Sequence, residues 1–386
     1  MTKTTISLIA AAVLLHANEP YEITITSATN SEQSIKDVTS NVEVITGAEL
    51  EEKHITTVLD ALRLSGVSIS QSGGIGQTSS FFMNGMSSGN TLVLIDGVKY
   101  NDPTGTEGQA QLEHLMISDI EQIEIIKGAQ SGIWGANAVA GVINIITKKP
   151  TNELKTNTNI EYGTNNTKKI GLNVSQKVDK LSYFIGANYI KTDGISAQTP
   201  NGKDPSDYED DGYRNKTINA KIGYEITDKD ELKFNITDID AKVKIDRTMP
   251  NNIVDEVVQQ NRLYKIMLNH NFNDKNYVKL SIANTTFKRD DPLGFTPKFE
   301  GINDEVTMDT KFSYLDNSFI LFGGVKQNSE DKIKNKKLKS DGYYVTNNNK
   351  FDKLIITESL RYDKYDLFDD STTGKVGVKY IFDKDL

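Results

Sequence analysis

The sequence predicts a small mixed α/β domain followed by antiparallel transmembrane β-barrel strands, about 12 in number. Three observations predict it. A glycine-rich strand–loop–strand runs from Ile120 to Lys149. From Pro150 onward, apolar and polar residues alternate as they do along a two-faced strand. The connections between those runs are short and long in turn. At 386 residues the chain exceeds one ordinary core, which leaves two domains or one large barrel.

The N-terminus reads as an export signal over residues 1–17. Lys3 is a minimal basic start, Ile6 to Leu15 an apolar run, and Ala17 a small residue at the cleavage position. The run is too short to span a bilayer as a helix. Residues 18–35 form a linker that carries Glu22, Ile23, Thr24, Ile25, Thr26, Ser27 and Ala28. Ile23 and Ile25 alternate with Thr24 and Thr26, as in an extended strand that could add to a partner's sheet edge. A frayed terminus is the plainer alternative.

Residues 36–150 form the α/β domain. Asn41–Ile45 is a strand. Thr46 and Glu49 make a capping box that opens a helix with the stripe Leu50, Val58, Leu59 and Leu62, ended by Gly66. Val67–Ser70 is a short strand, and Ser72–Ser80 is a Gly- and Ser-rich loop that lacks the third glycine of a dinucleotide loop. Leu92–Ile95 is a buried strand followed by an Asp96-Gly97 type I′ turn. A carboxylate in such a turn is ordinarily turn chemistry. Ile123–Ile126 and Val142–Ile146 are two more strands, the second buried on both faces because Asn144 is its only polar residue.

Residues 151–386 form the barrel strands. In Ile218–Ile226 one face carries Ile218, Ala220, Ile222, Tyr224 and Ile226, and the other Asn219, Lys221, Gly223 and Glu225. Leu181–Tyr189 and Val376–Phe382 follow the same rule. Short connections centre on Asp179-Lys180, Asp228-Lys229-Asp230, Asp274-Lys275, Asp316-Asn317 and Asp352-Lys353, and long polar ones lie between them. Each strand alone would suit a soluble sandwich, but the short/long rhythm belongs to an outer-membrane barrel.

Composition excludes several functions. The net charge of −9 and the lack of a basic patch with interleaved aromatics argue against nucleic acid as a partner. Without cysteine there are no disulfides, zinc–thiolate sites or thiol catalysis. The histidines 16, 54, 114 and 270 have no ligand spacing, and no nucleophile–base pair appears, so an enzyme is not expected.

The quoted stretches resemble a known family. Glu22–Ala28 resembles a TonB box. Asn41–Ser70, Phe81–Asn101 (FFMNGMSSGNTLVLIDGVKYN) and Ile120–Lys149 (IEQIEIIKG…WGANAVAGVINIITKK) resemble the plug of TonB-dependent outer-membrane receptors. The strands that follow complete the family's order, and within it the nearest likeness is to vitamin B12 (cobalamin) receptors. The resemblance implies an outer-membrane location in contact with lipid, the inner-membrane transducer TonB as partner, and cobalamin, a siderophore or another metal chelate as ligand. It implies ligand-facing plug loops at Ser72, Gln77, Ser79, Ser87, Asn90, Tyr100 and Asn101.

Two departures stand out. The family has arginines where this chain has Asn84 and Lys127, and those arginines latch the plug to barrel carboxylates. Asn84 cannot form that ion pair and Lys127 lacks the bidentate fork, so an unaltered latch is not expected. The strand count is about 12 against the roughly 22 of plugged transporters, so the barrel is expected to be incomplete, and a truncated, non-transporting, ligand- or partner-binding fragment is the alternative reading. One metal candidate remains. Asp204, Asp207, Glu209, Asp210 and Asp211, with Asp238 and Asp240 across the rim, offer the hard oxygens Ca²⁺ takes, and the cobalamin receptors it resembles bind calcium in this region. A solvated acidic loop is the alternative.

Overall fold

The computed structural model describes residues 23–196, 210–247, 253–315 and 317–382. The expected export signal lies outside the described residues, as do Glu22, Asp204, Asp207 and Glu209.

A short hairpin comes first, β1 (Thr24–Ile25) pairing antiparallel with β2 (Gln33–Ser34). β3 (Asn41–Thr46) leads into α1 (Gly47–Glu52), capped by Thr46, whose hydroxyl accepts from Glu49 N at 3.2 Å. The sequence predicts one helix as far as Gly66, but the structure has two. α2 (Val58–Leu64) begins afresh, with Thr57 as its own N-cap accepting from Asp60 N. The break has a local cause. His54 turns the chain at φ 51°, and the β-branched run Ile55-Thr56-Thr57 loses side-chain freedom in a helix. The apolar stripe survives the break, with Leu50, Val58, Leu59 and Leu62 all buried.

β4 (Ser68–Gln71) and β5 (Ser79–Phe82) form a separate hairpin. β6 (Thr91–Ile95), β7 (Val98–Lys99), β8 (Ile120–Lys127) and β9 (Gly141–Thr147) join β3 in a five-stranded sheet of order β3-β8-β9-β6-β7. β9 runs parallel to β6 and antiparallel to β8. This central strand is buried on both faces over Gly141–Ile145, as its β-branched composition requires. Asp96 and Gly97 sit at φ 50° and 77° in the β6–β7 turn, the left-handed pair a type I′ turn needs.

The wall follows as β10 (Lys155–Gly163), β11 (Thr167–Val178), β12 (Leu181–Thr192), β13 (Tyr213–Glu225), β14 (Asp230–Arg247) and β15 (Ile253–Asn271). It continues as β16 (Tyr277–Asp290), β17 (Lys298–Leu315), β18 (Ser318–Asp331), β19 (Lys336–Phe351), β20 (Leu354–Tyr365) and β21 (Ser371–Tyr380). Each strand pairs antiparallel with the next in one 12-stranded sheet, and β10 and β21 are its edges. The strand number agrees with the sequence reading, and the sheet is not closed among the described residues.

The dyad pattern sets the two faces. Ile218, Ile222, Leu232, Ile266, Leu280, Ile282, Met308, Leu360 and Val376 are exposed on the convex face and form an apolar belt in register from strand to strand. A belt of this size facing outward suits hydrocarbon rather than water. At the short-turn end, Phe272, Phe312 and Phe322 follow one another with ring centroids 6.2 and 6.3 Å apart, as in an interfacial girdle.

The concave face holds the plug. Ile239, Leu263, Ala283 and Phe287 of the wall share one core with Ile45, Leu62, Phe81, Ile95, Tyr100, Leu112 and Ile123 of the plug. Tyr100 meets Phe287 edge-on, ring centroids 5.2 Å apart. Burial of each large side chain contributes roughly 1.5–3 kcal/mol. On the other flank, α3 (Ser131–Trp134) wedges against β20 and β21. A Cβ on Gly132 would lie 3.1 Å from the Gly374 backbone, and Gly135, at φ 86°, lies under the Arg361 guanidinium. The small residues between β8 and β9 are thus what lets the plug backbone approach the wall.

Candidate functional site at the plug and the N-terminal segment

The N-terminal segment is docked rather than extended. The sequence reading has Glu22–Ala28 as an extended strand that could add to a partner's sheet, or as a frayed terminus; among the described residues Thr24–Ile25 closes a hairpin, and Ile25, Ser27 and Ala28 are buried. Glu124 is the anchor. Its carboxylate accepts from Thr26 N at 3.2 Å and from Ser27 N at 2.9 Å. Asn144, directly opposite Glu124 in the β8–β9 ladder, donates to Glu124 at 3.3 Å and to Thr26 Oγ1 at 3.2 Å. Gln122 Nε2 donates to Thr24 O at 2.9 Å, and Trp134 Nε1 to Ser27 O at 2.7 Å. Apolar packing completes the clasp, Ile25, Ala28 and Val38 lying against Leu92, Leu94, Ile126 and Val142. Sequence reasoning missed Glu124, although a carboxylate inside the β-branched run Ile123–Ile126 was a visible signal.

The wall also touches this segment. Asn30 Nδ2 donates to Asp309 Oδ1 at 2.9 Å and lies 3.0 Å from the Tyr344 hydroxyl, which itself donates to Asp309. A cavity of about 680 Å³ separates the docked segment, the plug sheet and β13–β20, with Thr26, Trp134, Lys265 and Tyr344 among its walls.

The two latch positions do not reach the wall. Asn84 Nδ2 donates to Ala140 O at 3.1 Å, and Lys127 pairs with Glu43 at 3.0 Å and donates to Ser65 O at 2.7 Å, all within the plug. The plug–wall ion pairs are elsewhere and of opposite polarity: Lys350 of β19 takes Asp37 at 2.7 Å, and Lys221 of β13 takes Asp96. Asp96, in the tight turn, accepts from Lys221 of β13 at 2.9 Å and from Thr147 Oγ1 at 2.7 Å, and Lys221 also donates to Thr147 O. Lys265 donates to Asp96 O at 3.0 Å. A further anchor is Arg361 of β20, held by Asp363 and donating to Ile133 O at 2.9 Å.

The expected ligand-facing residues fall into separate settings. Ser72 is exposed on its loop. Gln77 is buried and donates to Lys244 O at 2.7 Å, which ties the loop to the upper wall. Ser79 is not a loop tip: it begins β5, is buried, and donates to Glu113 at 3.1 Å. Ser87 and Asn90 bond each other at 3.0 Å. Tyr100 and Asn101 are buried; Tyr100 accepts from Asn261 Nδ2 at 2.7 Å, and Asn101 braces β6 by accepting from Val93 N. These two residues connect plug to wall, where wall amides satisfy the buried hydroxyl and the Asn101 carbonyl.

Titratable groups gather near the same loops. Burial pushes the Glu113 carboxyl up to about 7, opposed by its hydrogen bonds and by Arg289. Burial lowers His114 to about 3, with Arg289 adding to the effect. His114 is therefore a neutral ring, its Nδ1 3.2 Å from the Tyr213 hydroxyl. Asp102 is also raised by burial, although Thr104 N and Oγ1 each reach it at 2.8 Å.

The metal reading is altered at two positions. Asp238 and Asp240 lie on the convex face, since the alternate residues Ile239 and Ala241 are buried toward the plug. Asp238 pairs with Arg262 at 3.0 Å and Asp240 with Arg214 at 3.1 Å, so neither is turned toward a loop inside the rim. Asp210 is exposed and Asp211 buried. Among the described residues, no cluster of three or more acidic or histidine side chains could hold a metal ion.

Comparison with known proteins gives the class. The TonB-dependent Receptor Plug Domain model matches residues 34–142, and the TonB dependent receptor-like beta-barrel model matches residues 152–386. The chain belongs to the TonB-dependent receptors, a family of receptors and transporters rather than enzymes. Among curated relatives, "Vitamin B12 transporter BtuB" of Vibrio vulnificus strain YJ016 is 34% identical over 236 residues, 59% of this chain and 37% of that protein. The protein of the same name from strain CMCP6 is 24% identical over 400 residues, 97% of this chain and 63% of that protein. The chain thus spans about one to two thirds of the length of these relatives. The ferric enterobactin receptor of Pseudomonas aeruginosa, solved as a mutant with enterobactin, aligns with TM-score 0.69 at 17% identity, over 89% of this chain and 60% of its own. The P. aeruginosa FpvA–pyoverdine–iron complex aligns with TM-score 0.73 at 16% identity, over 94% and 57%. These two likenesses establish the fold alone. None of the matches favours the non-transporting alternative.

Proposed function

We propose that the chain serves energised uptake of a scarce ligand across the outer membrane. Cobalamin is the first choice of ligand, and a siderophore or another metal chelate the second. The single observation that carries this reading is the clasp on Ile23–Ala28. A segment held by backbone hydrogen bonds to one carboxylate, one indole and one short strand is ordered yet detachable. Withdrawn by TonB through strand addition, it would uncover the cavity between plug sheet and wall. The exposed convex belt supports an outer-membrane setting in contact with lipid, and the cobalamin relatives support the ligand. Calcium remains a proposal for the acidic loop after β12, through Asp204, Asp207, Glu209, Asp210 and Asp211.

The absence of native cysteine makes the test clean. A single Ile23→Cys variant should form a disulfide with a cysteine-bearing TonB segment in cells, and added cobalamin should increase the yield. No cross-link with or without ligand would refute the TonB step.

A further inference from the structure

We propose that the concave face of β13–β19 carries a cationic filter, built from Lys221, Lys233, Lys265, Lys279, Lys311 and Lys350, which makes the opened passage selective for anions. The ligand class it fits is a metal chelate bearing negatively charged groups. This assignment rests on the uptake reading above and names the substrate class of the same passage.

The strand pattern puts these lysines in the lumen. In β13–β17 the odd-numbered residues face the plug, as Ile239, Leu263 and Ala283 do, and in β19 the even-numbered ones, as Tyr344 does. Lys221, Lys233, Lys265, Lys279 and Lys311 therefore stand on the concave face of five consecutive strands, and Lys350 on that of β19. Each lies toward the short-turn end of its strand. From Glu305 downward, the same face of β13–β19 returns only Glu225, Glu231, Glu305 and Asp309 among the described residues.

With the plug docked, part of the excess is met from the plug. Asp96 takes Lys221 at 2.9 Å and Asp37 takes Lys350 at 2.7 Å. The wall carboxylates are already engaged. Glu231 takes Lys233 at 2.8 Å, and Glu225 takes a further lysine, Lys177 of β11, at 2.5 Å. Glu305 accepts from Lys99 N and Gln327 Nε2, and Asp309 from Asn30 and Tyr344. Lys265 donates to Asp96 O. Lys279 lies over the Tyr277 ring, 4.0 Å from its centroid, and Lys311 over the Phe319 ring at 4.4 Å. Lys265, Lys279 and Lys311 have no ion pair among the described residues. Lys221, Lys265 and Lys279 line the cavity of about 680 Å³ beside the docked segment.

Withdrawing the plug takes Asp37 and Asp96 with it. Seven ammonium groups, Lys177 included, then face four carboxylates in the vacated lumen. A confined passage lined by one sign of charge concentrates counter-ions and repels like ions, as rings of lysine do in anion pores. The long-loop end of the same face carries buried Asp255 and Asp331 beside Arg289, so positive charge rises toward the short-turn end. Lysine is a point charge on a flexible stem and sets no bidentate geometry, so the filter selects charge rather than shape. The plainer role for these lysines is plug docking alone, through Asp37 and Asp96, and it leaves the opened passage without preference.

The test places the full chain in a planar lipid bilayer under a KCl gradient and adds urea on the short-turn side to free the plug. The reversal potential gives the permeability of chloride relative to potassium. Wild type should pass chloride at least about threefold better at low salt, with the preference shrinking as salt rises. K279Q/K311Q removes two lysines that hold no plug group by hydrogen bond or ion pair. It should about halve the ratio, and K279E/K311E should favour potassium, both with wild-type circular dichroism. Citrate, a chelating anion, added on the long-loop side should block the wild-type chloride current at a concentration at least about tenfold below that needed with K279E/K311E. An opened wild-type passage that passes both ions equally, or prefers potassium, would overturn the filter and leave the lysines their docking role. So would a chloride preference unchanged in K279E/K311E. Absence of conductance in every form at every urea concentration would refute the uptake passage itself and the filter with it, whereas conductance without ion preference refutes the filter alone.

Discussion

Asp96 occupies a tight turn and a buried ion pair at once. The DG dipeptide was legible as a turn; its pairing with Lys221, 125 residues away, was not, because nothing local marks which lysine will face it. The opposite holds at Lys127, where the sequence points to a weakened latch and the structure places the ammonium on plug groups alone. Lys221→Met should therefore loosen the plug by about 3 kcal/mol, since it leaves a largely buried carboxylate without its partner. Lys127→Met, in a half-exposed pair, should cost under about 1 kcal/mol. Trp134, the chain's sole tryptophan, reports plug dissociation by fluorescence in urea. The pH response belongs to Glu113 and His114. With its folded pKa raised from 4.5 to about 7, Glu113 contributes stability that is complete below about 4.5 and is lost as pH rises toward 7. His114, lowered from 6.5 to about 3, contributes stability that is complete above about 6.5 and is lost as pH falls toward 3. Glu113→Gln should flatten the first slope and His114→Gln the second, both read from the urea midpoint of Trp134 fluorescence between pH 4 and 8.

Among elements, those with a strong local code were legible. β9 announces itself by β-branched residues, the wall strands by dyad alternation, and α1 by its capping box. The divided helix was not read, because a second N-cap at Thr57 is hidden inside an unbroken apolar stripe. Nor was the docking of the N-terminal hairpin, whose clasp joins residues about 100 positions apart through Glu124, Asn144 and Trp134. That clasp has a direct consequence. Glu124→Ala removes the acceptor for two backbone amides, so amide hydrogen exchange over Thr24–Ala28 should quicken at least about tenfold while β16–β19 keep their protection. Unchanged exchange in the segment would show that the apolar contacts of Ile25 and Ala28 hold it without the carboxylate.

At the scale of the whole molecule, sequence pattern defined a plug and about 12 wall strands, because alternation and turn rhythm repeat often enough to outweigh any single ambiguous run. How plug meets wall was out of reach. That interface depends on Lys221, Arg361, Asn261 and Asn303, the last donating to Asn101 O at 2.7 Å, and such inward-facing polar residues are indistinguishable in pattern from those that line an empty lumen. The candidate ligand loops were located as loops, yet Ser79, Tyr100 and Asn101 serve structure, since a residue's exposure follows from the packing around it. On the proposed uptake function the plug is a valve and residues 22–28 are its handle. Its most direct test is uptake of radiolabelled cobalamin, with a labelled ferric siderophore alongside, in energised cells that lack other receptors for either ligand. Cells expressing the intact chain should accumulate the label and cells expressing the chain without residues 22–28 should not; undiminished uptake in the deletion would contradict the proposed function.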